Sequence, residues 1–353
     1  MDETISFGEW VRQRRKVLDF TQTELANRVG CAVITIRKIE QEERRPSREM
    51  AELLAEHLAI PQPERALFAT MARGQFTPSG PSPGTLRFPL FLQTPDSESS
   101  FRFVARRQEL AQLQAHLDQV LAGHSGVFFV PGEAGRGKSS LLAEFARQAQ
   151  LSRPDLIVAS GMCSAHGDIG DPYLPFRDVL ALLTGDLESR LTAGAISPEQ
   201  ARRLWAFLPQ TLTALVEYGP DMLNILVPGS TLLKRVAPHA IGQPAWLTQL
   251  QAVIEQPQAR LGHLEQGQLF EQVRQVSQTL AGQQPLLLLF DDLQWLDTAS
   301  LNLLFHLGRR LRGSRILLLG AYRASEVQEA HPLTPVVTEF KRRLGDIQLN
   351  LEQ

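Results

Sequence analysis

The sequence predicts an α/β protein in three parts: an all-α N-terminal bundle, a linker, and a parallel sheet with a helical insertion. Three observations lead there. Residues 1–73 hold short stretches with apolar residues at helical spacing. Residues 74–100, GQFTPSGPSPGTLRFPLFLQTPDSESS, are rich in Pro, Gly and Ser, which favour turns and extended chain over a packed element. From 101 to 353, apolar runs of strand length alternate with helical patterns, as in βαβ units on a parallel sheet.

Composition narrows the class. The 353 residues suit two or three domains, and 43% hydrophobic with 21% charged residues is ordinary for a soluble globular protein. The run PLLLLF is strand-length, far short of the ~20 residues that span a bilayer. No charged-then-apolar leader opens the chain, so a cytoplasmic protein without membrane attachment is expected. Cys31 and Cys163 are too few for a disulfide framework and read as two buried thiols. Cys163 and His166 do not by themselves make a metal site. With a net charge of -2, any nucleic-acid binding must come from a local patch.

In the first part, SFGEWVRQRRKVLD reads as a helix with Phe7, Trp10, Val11, Arg14 and Leu18 on or beside one face. Thr21 is a suitable N-cap for QTELANRV, with Glu24 three residues on completing a capping box. Gly30 allows a tight turn, and AVITIRKIE follows as a helix with Ile36 and Ile39 inward. RRPS and EMAELLAEHLAI close the bundle. The pattern Q-x-x-L-A-x-x-x-G…I-x-x-x-E-x-x-x-R-x-P across residues 6–60 resembles the Cro-type (XRE) helix-turn-helix family. The resemblance implies that Gln22 holds a DNA phosphate and that Val33, Ile34, Thr35, Arg37 and Lys38 form the DNA-facing set. Val33 and Ile34 cannot donate hydrogen bonds, so they would read thymine methyls or shape. Arg12, Arg14, Arg15, Arg44 and Arg45 are available for phosphates, which position without specifying. Glu40, Glu42 and Glu43 stand beside the same helix, so the basic footprint is weak and a protein partner remains an alternative.

In the linker, LRFPLFL is apolar enough to dock on a neighbour. Beyond it, strands are expected at 127–130, 156–160, 286–290 and 315–321, whose continuous apolar character suits burial on both faces. Residues 186–284 read as a helical insertion interrupted at Pro209, Pro220, Pro228, Pro238, Pro244 and Pro257. Trp205 and Trp246 are expected in its core.

The first strand leads into GEAGRGKS, residues 132–139, which fits G-x-x-x-x-G-K-[ST], and a helical pattern leads out. The pattern resembles the phosphate loop of P-loop NTPases. Gly132, Gly135 and Gly137 let backbone amides turn toward a phosphate chain, and the helix N-terminus favours the anion. Lys138 would reach the β- and γ-phosphates as a catalytic group, and Ser139, with Ser140 beside it, would serve the cofactor ATP and its Mg²⁺. LLLLFDDLQW places Asp291 and Asp292 at the end of a buried strand. Asp291 is the Mg²⁺ ligand expected there, and Asp292 the catalytic acid that orients or deprotonates water. Arg323, ending RILLLGAYR, is placed to sense the γ-phosphate.

From about 101 onward the chain resembles the STAND branch of the AAA-like P-loop ATPases, signal-transducing NTPases in which bound ATP and slow hydrolysis switch the molecule between states. FVARRQELAQL is similar to the family's adenine-contacting segment, which implies contact through Val104 and Arg106; Ala105 and Arg107 stand where Gly and Glu are usual. GDPYLPFRDVLALLTGD and DDLQWLD are similar to its later segments. The family continues into a helical lid, a winged helix and sensor repeats, none of which follows GDIQLNLEQ, so the expectation is either a fragment or a protein that borrows from a partner the groups that close over the nucleotide. The expected function is an ATP-binding transcriptional regulator that binds double-stranded DNA, as a homo-oligomer when active. The alternative is a signalling or defence ATPase whose helical head binds a protein.

Overall fold

The computed structural model describes residues 7–18, 20–41, 46–58, 60, 68, 72, 86–92, 106–124, 126–164, 172–255, 266–349 and 351. They fall into two compact units, Met1–Ser82 and Pro83–Gln353, so the division lies inside the stretch read as a linker.

The first unit contains α1 (Phe7–Val17), α2 (Gln22–Val29), α3 (Val33–Glu40) and α4 (Arg48–His57). The capping box at α2 forms: Thr21 Oγ1 accepts from the Glu24 N–H at 3.1 Å, and the Glu24 carboxylate accepts from the Thr21 N–H at 2.7 Å. These bonds hold the Glu24 carboxyl below the usual carboxylate range. Gly30 ends α2 in the left-handed region, φ 73°. Val11, Leu25, Ile36, Ile39, Leu54 and Leu58 are fully buried, so the inward faces expected of α1 and α3 meet in one core. The side chain of Trp10, together with Glu42, Glu43, Arg44 and Arg45, lies outside the described residues.

The second unit is built on β1 (Val127–Pro131), β2 (Ile157–Met162), β3 (Leu286–Asp291) and β4 (Ile316–Tyr322), all parallel in the order β1-β4-β3-β2. Burial along β1 and β4 is continuous, the reason their sequences show apolar runs rather than alternation. Around the sheet lie α5 (Arg107–Leu121), α6 (Lys138–Ser152), α7 (Leu174–Leu183), α14 (Thr298–Gly308) and α15 (Leu333–Leu344). The chain then returns beside β1: the Phe129 N–H donates to Ile347 O at 2.7 Å, and the N–H groups of Leu349 and Leu351 donate to Phe129 O and Pro131 O at 2.9 and 3.2 Å. Ile347, Leu349 and Leu351 are all buried along this edge.

The helical insertion comprises α8 (Glu188–Thr192), α9 (Pro198–Tyr218), α10 (Met222–Ile225), α11 (Gly229–Val236), α12 (Ala245–Glu255) and α13 (Gln266–Gln283). Pro209 does not interrupt it: α9 runs through that residue for 21 residues. An internal proline costs about 3 kcal/mol, and the burial of Leu204, Trp205, Phe207, Leu208 and Leu212 around it offsets that loss. Trp205 and Trp246 are core residues, as expected. Residues 86–92 dock on this insertion. The Arg87 N–H donates to His239 O at 2.8 Å, Trp205 Nε1 donates to Arg87 O at 3.1 Å, and Leu86 and Leu92 join the core.

Candidate functional sites

The phosphate loop leaves the C-terminal end of β1, next to β4 and away from β2, to which α6 leads, a switch in strand order of the kind that opens a crevice in α/β sheets. Gly137 precedes α6 with φ 77°, a conformation that a residue with a Cβ adopts only with strain. No side chain caps this helix. The first-turn amides of Lys138, Ser139 and Ser140 therefore lack intrahelical and side-chain capping acceptors, and they carry the partial positive charge that holds anions. Lys138 is buried, and its Nζ donates to the carbonyls of Gly132 and Glu133 at 2.9 and 3.0 Å. The ammonium is thus held at the base of the loop. Ser139 and Ser140 are exposed. Gly135 is also left-handed, φ 75°. Arg106 approaches the loop as well: a guanidinium N–H donates to Arg136 O at 2.8 Å, while the group pairs with Glu109 at 3.2 Å. Val104 lies outside the described residues.

Register brings the other sequence-predicted residues to the same sheet edge. Asp291 ends β3, opposite Met162 of β2, and its Oδ1 accepts the Asp292 N–H at 2.9 Å. Asp292 is left-handed, φ 55°, and begins a short 3-10 turn over Leu293–Trp295. Its Oδ1 accepts from Gln294 Nε2 at 2.8 Å and lies 3.8 Å from Arg323 Nε. Arg323 follows β4, where Tyr322 pairs with Pro131, so it begins beside the phosphate loop. Its guanidinium is engaged by Glu326 at 2.7 Å, by Asp292, and by the ring of Trp295 at 4.8 Å. The loop's own Glu133 reaches the same arm, accepting from the N–H and Oγ of Ser325 at 3.0 and 2.6 Å. Glu133, Gln294, Trp295 and Ser325 were not singled out in the sequence. The acid inside the loop and the QW pair after two acids were the signals that could have marked three of them.

Cys163 is buried at the end of β2. Burial first, then Asp291, Asp292, Asp297 and Asp178, push its thiol far above the usual range, so it stays protonated. Cys31 is only partly buried, contrary to the expectation for both thiols, because it lies just past the end of α2. His166 lies outside the described residues, and no cluster of three or more metal-ligating side chains occurs among the described residues.

In the first unit, α3 presents an exposed row. Val33 is 38% and Ile34 54% exposed, and Arg37 and Lys38 are exposed with them. Thr35 is not part of that row: at 8% exposure it faces the bundle with Ile36 and Ile39. Gln22, expected at a DNA phosphate, is half-buried here, and its Nε2 donates to Glu40 Oε2 at 2.7 Å. Glu40 in turn accepts from Arg15 Nε at 2.6 Å, so neither is a free surface charge. Arg14 Nε donates to Leu58 O at 3.3 Å, whereas Arg12 is exposed.

No helix among the described residues is long and apolar enough to cross a membrane. No curated protein matches the chain. The model of the helix-turn-helix family matches residues 11–61, which span the bundle bearing the exposed row. The model described as AAA ATPase domain matches residues 102–319, which carry the phosphate loop, both strand-end acids and all four strands through most of β4. An AAA ATPase domain implies nucleotide binding, and with more than half of its length inside that match, the chain belongs to the AAA ATPase family and carries a helix-turn-helix domain ahead of the ATPase domain.

Proposed function

We propose that the chain is an ATP-binding transcriptional regulator whose helix-turn-helix head binds double-stranded DNA under control of the nucleotide state of the AAA domain. The carrying observation is the open first turn of α6, uncapped and joined to a buried Lys138, in a chain that also presents Val33, Ile34, Arg37 and Lys38 on α3. Backbone amides and Lys138 would hold the β- and γ-phosphates. The exposed hydroxyl of Ser139 and the second oxygen of Asp291 are hard oxygen donors of the kind Mg²⁺ takes, so the residues fit that ion. When bound, Mg²⁺ would neutralise charge building up between the terminal phosphates. Asp292, whose Oδ1 is held by Gln294, would orient the attacking water, and slow turnover would make the nucleotide a timer. Arg106 would bring the chain before α5 against the nucleotide.

In the head, Arg37 and Lys38 would donate to bases or phosphates, while Val33 and Ile34 would contact thymine methyls. Two heads brought together in a nucleotide-dependent oligomer would meet half-sites about 34 Å apart. The exposed apolar pair also favours a second reading, in which α3 docks on a protein. Selection of duplexes from random sequence separates the two: a protein-binding head would enrich no motif.

The nucleotide reading is tested on the purified full chain, by denaturing it and separating released nucleotides on an ion-exchange column. The wild type should carry or take up close to one equivalent of ADP or ATP, and Lys138→Ala should lose it. A wild-type chain that arrives empty and also ignores added Mg-ATP would overturn the assignment.

A further inference from the structure

Gln294 forms a bridge at the C-terminal edge of the sheet. It is 6% exposed and lies within the turn after β3. Its side-chain amide is held from both sides: Nε2 donates to Asp292 Oδ1 at 2.8 Å, and Oε1 accepts the Arg323 N–H at 3.1 Å. A carboxylate only accepts and a backbone N–H only donates, so these partners fix which way the amide points. The Gln294 carbonyl faces His331 Nε2 at 3.0 Å, and His331 Nδ1 accepts the Leu333 N–H at 3.1 Å, which leaves the ring proton on Nε2. One buried residue thus touches the end of β3, the end of β4 and the start of α15. Gly320 on β4 makes room for this turn, since a Cβ there would come within 2.3 Å of Leu293 Cδ1. The circuit closes on the phosphate loop through Ser325 and Glu133.

We infer that Gln294 is a positioning residue that locks Asp292 and the Arg323 arm into one unit, so that discrimination of a nucleoside triphosphate from a diphosphate depends on it. The inference rests on the nucleotide-binding reading above. A diphosphate is held by loop amides and Lys138, whereas a third phosphate extends toward the strand-end acids and Arg323. The amide is the shared contact through which a displacement of Asp292 reaches the backbone of Arg323, just past β4. A group that merely filled the turn would affect both nucleotides alike.

The test is equilibrium binding of Mg-ADP and of a non-hydrolysable Mg-ATP analogue to the full chain, by calorimetry, for wild type, Gln294→Met and Gln294→Glu. Methionine keeps the volume without the amide; glutamate keeps an acceptor for Arg323 but sets a carboxylate against Asp292. Both variants should shift the triphosphate-to-diphosphate affinity ratio by about tenfold, with diphosphate affinity unchanged within about twofold. Parallel loss of both ligands in the variants, or an unchanged ratio, overturns the inference, while the nucleotide reading stands as long as the wild type binds both. If the methionine variant does not fold, the glutamate variant, which keeps the Arg323 bond, decides the question. A wild type that binds neither nucleotide, like Lys138→Ala, overturns the nucleotide reading and this inference together.

Discussion

At the scale of single residues, the partner of a charge decides its meaning. Arg15 and Glu40 have side chains only 11% and 3% exposed and meet at 2.6 Å, with Gln22 and the Phe20 carbonyl completing the set. In the sequence the arginine reads as a phosphate contact and the glutamate as a repelling charge. Their burial makes the pair internal to the bundle and removes that acid from the exposed side of α3. Truncating one member of a buried pair leaves the other charge without compensation, at a cost of about 3–5 kcal/mol. Arg15→Ala should therefore destabilise the helical head by that order, whereas exposed Arg12→Ala should cost within about 0.5 kcal/mol. Amide hydrogen exchange along α3 in the full chain reads this directly. Equal protection of α3 in the two variants would show that the pair contributes nothing to the head.

At the scale of elements, α14 carries a half-buried histidine, set against Glu271 of α13, that makes stability depend on pH. His306 Nδ1 accepts from Arg310 at 3.2 Å, so the ring proton sits on Nε2, which is buried without a hydrogen-bond partner, 3.8 Å from Glu271. Burial first, then Arg310 and Arg274, lower its pKa, opposed by Glu271. A histidine with a lowered folded pKa is protonated first in the unfolded chain. Its neutral form thus supports folding above the ordinary value of about 6.5, and that support is lost as pH falls below it. His306→Phe should flatten the fall in urea-unfolding stability between about pH 7 and about pH 5; an unchanged slope would acquit this residue. Part of the slope should persist through His116, lowered by burial against Phe128. β1, β3 and β4 are legible because burial on both faces leaves continuous apolar runs, β2 through the shorter run LIVA, and the phosphate loop because few residue types fit its backbone. Pro209 misled because its local cost is outweighed by packing from distant residues. The edge alongside β1 is written as alternation in IQLNL, and the place of Gln294 is not legible because its partners, Asp292 and Arg323, follow two different strands.

At the scale of the whole molecule, an AAA ATPase domain and a helix-turn-helix domain in one chain imply a measurable coupling or none. ATP can change DNA affinity only if it binds the DNA-competent and incompetent states unequally. Such a coupling is reciprocal and amounts to about 5–150-fold where it operates. We therefore expect duplexes selected by the full chain to bind with affinities differing by a factor in that range between a non-hydrolysable Mg-ATP analogue and Mg-ADP. The same duplex should alter the analogue-to-ADP affinity ratio by the same factor. Removing residues 1–73 should abolish DNA retention yet leave nucleotide uptake, because the residues of the phosphate site all lie in the second unit. Arg37→Ala with Lys38→Ala should weaken binding and reduce its salt dependence, as fewer phosphate contacts release fewer counterions. Fluorescence anisotropy with one labelled duplex, titrated under both nucleotides, measures the DNA arms, and calorimetry with each nucleotide measures the others. Equal affinity under the two nucleotides would leave a DNA-binding head and an ATP site acting independently, and would remove the switch that joins them.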